Sequence, residues 1–271
     1  MSNMKRTAVD GLELEYEIHG SGEPVVFVHH GAGADWFDPL SKEPSLSGRY
    51  RLVRYHRAGY AGSSQLVPPL TFSQEARNFR ELLRHLGLER VHVVGHSASA
   101  CIALQIALDA AESVQSLALL EPALMAVPSP PEVPRALELY RGGDTAAAVD
   151  TFLRGTCGAQ CRSVLEQTVP GAIEQAIADA PTFFEHELPA LRQWSFGPEE
   201  ARRVQQPVLA VVGEESDPRF HQRQKLLLEW LPHVEPFLLR RAGHLLHLQN
   251  ARDMAEGLAA FFGRHPLDAP P

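Results

Sequence analysis

Residues 91–108 have the sequence VHVVGHSASACIALQIAL, which is an apolar strand, a tight turn and a nearly all-apolar helix. Ser97 stands at the turn, between two small residues, Gly95 and Ser99, that let the backbone bend sharply. Ser99 replaces the second glycine of the common Gly-X-Ser-X-Gly motif. A serine on such a bend can act as a nucleophile, and the first amides of the following helix can stabilise an oxyanion. The alternative is a serine that caps the helix in an ordinary β–α connection. The flanking apolar strand and the buried helix favour the nucleophile.

Similar apolar runs on both sides of this segment predict further strands. They are Lys5–Val9, Leu12–Ile18, Val25–His29, Arg51–Tyr55, Val114–Leu120, Val208–Val212 and Pro236–Leu239. Helical patterns lie between several of them, at Thr71–Leu86, Phe220–Leu231 and Arg252–Phe262. Strands that alternate with helices indicate an α/β fold with a mostly parallel sheet covered on both faces.

This alternation is interrupted between residues 122 and 200. The segment opens with a cluster of prolines and continues with short helical patterns at Val133–Arg141, Thr145–Arg154, Gly171–Asp179 and Phe183–Trp194. None of its residues follows the pattern of a sheet strand. We therefore predict a helical cap, residues 122–200, inserted into a core made of residues 1–121 and 201–271.

Two loops could supply the other parts of a serine-based site. His244 comes just after the last apolar strand, and Gly243 gives its loop freedom to turn the ring inward. His247, three residues later, is the competing base. The glycine-rich bend at residues 28–33 follows an early strand and can present a backbone N–H to a substrate oxygen, together with the N–H of Ala98.

Composition narrows the function classes. The chain has 271 residues and a net charge of −8, which disfavours nucleic acid as a partner. No apolar run approaches the roughly 20 residues of a membrane span, and Met1–Asp10 lacks the apolar core of an export signal. Three cysteines without zinc-site spacing predict no metal site and a cytoplasmic location. The sequence is compatible with a homodimer and does not decide the oligomeric state.

Four motifs, in this chain order, resemble the α/β-hydrolase superfamily. They are VVFVHHGAGADW (25–36), RAGYAGSS (57–64), VVGHSAS (93–99) and AGHLLHLQN (242–250). The resemblance implies an eight-stranded, mostly parallel sheet, a helical cap over the active site and no cofactor. It also implies that Ser97 is the nucleophile and His244 the base. The oxyanion amides would be those of Ala98 and Ala32, with Gly31 as the alternative to Ala32.

The acid that orients His244 has two candidates. In most of the superfamily the acid follows the strand after the cap, where Asp217 stands, but Asp217 lies four residues after Gly213 instead of the usual three. In another subgroup the acid ends the strand before the cap, where Glu121 stands, 24 residues after Ser97. We favour Glu121 and keep Asp217 as the alternative.

A serine nucleophile restricts the chemistry further. Epoxide hydrolases and dehalogenases need a carboxylate at the bend, whereas a serine forms an acyl-enzyme. We expect a carboxylesterase or lactonase that acts on a small apolar ester-type substrate. Two alternatives use the same triad: a carbon–carbon bond hydrolase and a perhydrolase or haloperoxidase. Another is a receptor-like binding protein of the same fold with little turnover.

Overall fold

The computed structural model describes residues 4–267, so the two ends of the predicted core, residues 1–3 and 268–271, lie outside the described residues. Within residues 4–267 eight strands form one sheet in the order β1-β2-β4-β3-β5-β6-β7-β8. The strands are β1 (Lys5–Val9), β2 (Leu12–His19), β3 (Glu23–Val28), β4 (Tyr50–Tyr55), β5 (Val91–His96), β6 (Val114–Leu120), β7 (Val208–Gly213) and β8 (Val234–Leu239). β2 is antiparallel to both of its neighbours, and all other neighbouring pairs are parallel. The predicted mostly parallel, eight-stranded sheet is confirmed.

Helices precede, separate and follow these strands. They are α1 (Asp38–Ser41), α2 (Pro44–Ser47), α3 (Phe72–Leu86), α4 (Ala98–Asp109), α5 (Glu132–Arg141), α6 (Thr145–Cys157), α7 (Cys161–Thr168), α8 (Ala172–Ala178), α9 (Ala180–Thr182), α10 (Leu188–Gln193), α11 (Pro198–Ala201), α12 (Pro218–Trp230), α13 (Leu246–Gln249) and α14 (Ala251–Arg264). Side chains of α3, α4 and α12 pack on one face of the sheet, and side chains of α1, α2 and α14 pack on the other. Both faces of the central strands are therefore buried, which explains their nearly continuous apolar sequences.

Local signals fix the ends of α3. The Thr71 hydroxyl accepts the N–H of Gln74 at 3.1 Å, and Gly87 ends the helix at a φ of 65°. The side chain of Gln74 bonds Asn78 instead of returning to the N-cap backbone, so only half of a capping box forms. The predicted helix Thr71–Leu86 thus begins one residue later, with Thr71 as its N-cap.

The segment between β6 and β7 is helical throughout its regular structure, with α5 to α11 and a π-helical turn at Phe183–Glu187. Apolar side chains of α5 to α9 and of the π-helical turn form a separate cluster, which also includes Ala32, Trp36 and Leu245 from loops of the sheet. Leu191 of α10 and Ala201 of α11 pack instead with the core of the sheet. The helix predicted at Phe183–Trp194 is divided, because the π-helical turn precedes α10. Sequence analysis missed α7, in which only Cys161 and Leu165 are buried.

The parallel strands β3, β5, β6, β7 and β8 have their carboxyl ends at one edge of the sheet. The loops that follow these strands therefore meet there, under the helical insertion. None of the helices in residues 4–267 is long and apolar enough to cross a membrane.

Candidate active site

Ser97 occupies a strained bend between β5 and α4. Its φ of 57° and ψ of −119° lie where few residues other than glycine are found, and strain of this kind concentrates at functional sites. Gly95 cannot be larger, because a Cβ there would come 2.5 Å from the carbonyl oxygen of Ser99. The bend is fixed by two backbone bonds, Ser97 N–H to the Leu120 oxygen (2.9 Å) and Ala123 N–H to the Ser97 oxygen (3.1 Å).

Ser99, which replaces the second glycine of the usual motif, has its own place in the bend. It is fully buried, and its hydroxyl oxygen lies 2.5 Å from the carbonyl of Val28 and accepts the N–H of His96 at 2.9 Å. The hydroxyl therefore ties the bend to the end of β3. The departure from the glycine pattern adds hydrogen bonds without obstructing Ser97.

His244 connects Ser97 to Glu121. Its Nε2 lies 3.2 Å from the Ser97 hydroxyl, and its Nδ1 lies 2.5 Å from Oε2 of Glu121. A carboxylate can only accept, so Nδ1 carries the proton and Nε2 is free to accept from Ser97. The ring of Phe220 stacks on the His244 ring at 4.1 Å between centroids and 13° between planes, which fixes its orientation.

Glu121 follows the last residue of β6 and is 1% exposed, with a φ of 47°. Its Oε1 accepts the N–H of Gly213 at 2.7 Å and the hydroxyl of Ser216, while Oε2 accepts His244 Nδ1–H. Three hydrogen-bond donors therefore satisfy this buried carboxylate. This arrangement suits an acid that orients a histidine.

Asp217, the alternative acid, is elsewhere. Its side chain is 39% exposed and caps the first turn of α12 by accepting the N–H of Arg219 at 2.9 Å. The guanidinium of Arg219 also bonds both carboxylate oxygens, and this contact lowers the pKa of Asp217. The structure brings Glu121, and not Asp217, to His244.

The competing histidine, His247, is fully buried, and neither ring nitrogen has a hydrogen-bond partner among the described residues. Burial lowers its pKa to about 3. Its ring packs 4.7 Å from that of His96, whose Nε2–H donates to the carbonyl of His244 at 2.8 Å. Sequence analysis missed this role of His96. As the last residue of the strand before Ser97, it fixes the backbone of His244 by a hydrogen bond.

The three predicted oxyanion amides differ in their surroundings. The N–H of Ala98 begins α4 and has no acceptor within the helix. The N–H of Ala32 contacts Nδ1 of His30 at 3.2 Å, and the N–H of Gly31 donates to Oε1 of Glu187 at 3.0 Å. The amide of Gly31 is therefore held by a carboxylate of the helical insertion, whereas the acceptor of the Ala32 amide is a ring nitrogen of its own loop.

Glu187 is a buried carboxylate that sequence analysis missed. Besides Gly31, it accepts the Tyr60 hydroxyl at 2.5 Å and the guanidinium of Arg57, whose other charged neighbour is Glu75 at 3.7 Å. Burial raises the pKa of Tyr60 and of Glu75. The sequence contains a signal of this burial, because at helical spacing Glu187 lies on the same face as the apolar residues of its segment.

A cavity of about 50 Å³ lies between Ser97, His244 and the helical insertion. Most of its wall is apolar. The lining residues are His30, Ser97, Ala98, Ala123, Ser129, Pro130, Val133, Phe152, Thr156, Phe183, Glu187, Leu188, Leu191, Phe220, Arg223 and His244. The cavity reaches the Ser97 side chain, so a small bound molecule there would meet the nucleophile.

Comparison with known sequences gives one family and several partial relatives. The sequence model of the Alpha/beta hydrolase family matches residues 25–257. A fluoroacetate dehalogenase from a Burkholderia species is 36% identical over 118 residues, which are 42% of this chain and 38% of that protein. The match to the first curated relatives of this chain is equally partial, because the chain spans about two fifths of their length.

Solved structures resemble the whole chain. The enol-lactonase from Burkholderia xenovorans LB400 superposes with a TM-score of 0.79 at 18% identity, covering 96% of this chain and 100% of that one. Est816, described as an N-acyl homoserine lactone degrading enzyme, gives 0.76 at 22% identity, covering 95% and 100%. At these identities the likeness is one of fold.

Proposed function

Because this chain belongs to the alpha/beta hydrolase family, we propose that it is a serine hydrolase that cleaves a carboxylic ester or lactone. The reaction would pass through an acyl-enzyme on Ser97. One observation carries the proposal: the hydrogen-bonded series from Ser97 through His244 to Glu121, with distances of 3.2 and 2.5 Å. Ser97 and His244 line a mostly apolar cavity.

Acylation uses each member of this series. His244 Nε2 takes the proton of the Ser97 hydroxyl as its oxygen attacks the carbonyl carbon, which gives a tetrahedral oxyanion and a protonated imidazole. Glu121 accepts from Nδ1–H throughout and stabilises that positive charge. As the intermediate collapses, His244 returns the proton to the departing alkoxide, and the acyl group stays on Ser97.

The oxyanion would be stabilised by the N–H groups of Ala98 and Ala32. The amide of Ala98 points from the first turn of α4, where the helix dipole also favours negative charge. The amide of Ala32 would exchange the ring nitrogen of His30 for the oxyanion, a stronger acceptor. Removal of one such donor costs about 10²- to 10³-fold in turnover in other serine hydrolases.

Deacylation repeats the same steps with water as the nucleophile. His244 takes a proton from water as its oxygen attacks the acyl carbon, and then returns the proton to Ser97 as the acid leaves. His244 is thus the base in both acylation and deacylation. The Burkholderia relative is described as a dehalogenase, and dehalogenation would need a carboxylate nucleophile. A serine at position 97 supports acyl transfer instead.

The cavity favours a short acyl group. Its volume of about 50 Å³ exceeds the roughly 10–15 Å³ that one water needs by this measure, yet it leaves little space for a long chain. The aromatic rings of Phe152, Phe183 and Phe220 would contact the acyl carbons.

Hydrolysis of p-nitrophenyl acetate and p-nitrophenyl butyrate tests this proposal. Replacement Ser97→Ala should leave the protein folded and lower turnover by about 10³-fold or more, as should His244→Ala. His247→Ala is the matched control and should cost much less, since its ring contacts neither Ser97 nor Glu121 by a hydrogen bond. A Ser97→Ala variant with more than a tenth of the wild-type rate would contradict a serine nucleophile. A wild type that binds esters without turnover would indicate a receptor.

A further inference from the structure

The cavity beside Ser97 contains one cation without a carboxylate partner. Arg223, on α12, lines the cavity and is only 3% exposed. Its Nε donates to the carbonyl of Leu124 at 3.1 Å, and its Nη2 donates to the carbonyl of Val127 at 3.1 Å. No acceptor in residues 4–267 forms a hydrogen bond with Nη1, and no carboxylate oxygen there lies within 4.0 Å of the guanidinium.

The other two buried arginines are held differently. Arg57 is 1% exposed and pairs with Glu187 and Glu75, and Arg54 is 8% exposed and pairs with Glu17 among other carboxylates. Burial of a charge without a partner of opposite sign is costly, and backbone carbonyls offset only part of that cost. The partial compensation at Arg223 leaves one side of the guanidinium able to bind an anion.

The surroundings place this cation close to the reacting groups. The guanidinium carbon lies 5.1 Å from the ring centre of Phe220, which itself stacks on His244. Glu187 is the carboxylate among the residues that line the cavity, and it already accepts hydrogen bonds from Arg57 and Tyr60. An anionic group that enters the cavity would therefore meet an unpaired cation and an already paired carboxylate.

We propose that Arg223 binds a free carboxylate on the acyl part of the substrate, so that the enzyme acts on short esters or lactones of dicarboxylic acids. The inference rests on the proposed serine hydrolase activity. A carboxylate offers two oxygens to the guanidinium and matches its planar geometry. The bond would also hold the acyl chain in the cavity with its ester carbonyl directed towards Ser97.

The test uses two esters with four-carbon acyl groups, p-nitrophenyl butyrate and mono-p-nitrophenyl succinate, which differ by a terminal methyl or carboxylate. The wild type should favour the succinyl ester by kcat/KM. In Arg223→Met this preference should fall by about 10- to 100-fold, the scale of a hydrogen bond between charged groups. A merely structural role of Arg223 would lower both rates and leave their ratio unchanged.

Arg219→Met is the matched control, because Arg219 lies one helical turn away, carries the same charge and does not line the cavity. Its ester preference should stay near that of the wild type. If Arg223→Met fails to fold, the wild type alone decides, since equal rates or a preference for the butyryl ester would overturn the inference. Turnover of neither ester would instead contradict the proposed function itself.

Discussion

Two neighbouring strands, β6 and β7, each offer a carboxylate at the same edge of the sheet, and the structure treats the two carboxylates in opposite ways. Glu121 follows β6 directly, is 1% exposed and contacts His244. Asp217 lies four residues beyond the end of β7, has a side chain that is 39% exposed and contacts Arg219. Proximity to the catalytic edge therefore does not by itself make a carboxylate part of the site.

The difference has a local cause. Glu121 turns inward at a φ of 47° within one residue of its strand, whereas Asp217 is the N-cap of α12 and is held by the helix that it begins. The β7 loop still contributes to the site, because Gly213 N–H and the Ser216 hydroxyl both donate to Glu121. One loop supplies the carboxylate that contacts His244, and its neighbour supplies two hydrogen-bond donors to that carboxylate.

The largest effect should come from Glu121→Gln. An amide in place of the carboxylate would favour the wrong tautomer of His244 and leave its protonated form unstabilised, so turnover should fall by roughly 10³- to 10⁴-fold. Ester kinetics and thermal unfolding of the same preparation check this. Near-normal turnover in a folded Glu121→Gln protein would contradict a role of Glu121 in orienting His244.

A smaller loss is expected from Ser216→Ala, which removes one donor to Glu121 and retains the N–H of Gly213. A hydrogen bond to a charged group contributes about 1.5–3 kcal/mol, so kcat should fall by about 10- to 100-fold. The effect should appear in kcat more than in KM, because Ser216 does not line the cavity. Unchanged kcat would mean that the β7 loop does not support the acid.

The smallest effect is predicted for Asp217→Asn. Asparagine is also a good N-cap, and the ion pair with Arg219 is partly exposed, so the free energy of unfolding should change by about 1 kcal/mol or less. Turnover should stay close to that of the wild type. If Asp217→Asn is inactive while Glu121→Gln is normal, the roles of the two loops are reversed.

Most of the sheet could be predicted because its strands are buried on both faces. The apolar run that predicts β5 ends at Val94, while the strand continues through Gly95 to His96. β8 begins at Val234 and includes Pro236, which sequence analysis placed at its start. Proline is tolerated there because no further strand pairs with β8 within the described residues.

The site was only partly predictable. Strand ends and chain order led to Ser97 and His244, and the resemblance to the superfamily added Glu121. The structure brings these three together. The contact between Glu187 and Gly31 joins residues 156 positions apart, and no local pattern encodes it. The burial of Arg223 likewise depends on the loop that leads from β6 into the helical insertion. Such contacts between distant segments require the folded chain.

The rate of covalent labelling by a fluorophosphonate, followed by mass spectrometry of the intact protein and of its peptides, tests the central claim most directly because it needs no knowledge of the substrate. The wild type should take up one label, on Ser97. Asp217→Asn should react at the same rate, and Glu121→Gln should react roughly 10³-fold more slowly. A label on another residue, or equal rates for Glu121→Gln and the wild type, would contradict a Ser97 nucleophile activated through His244 and Glu121.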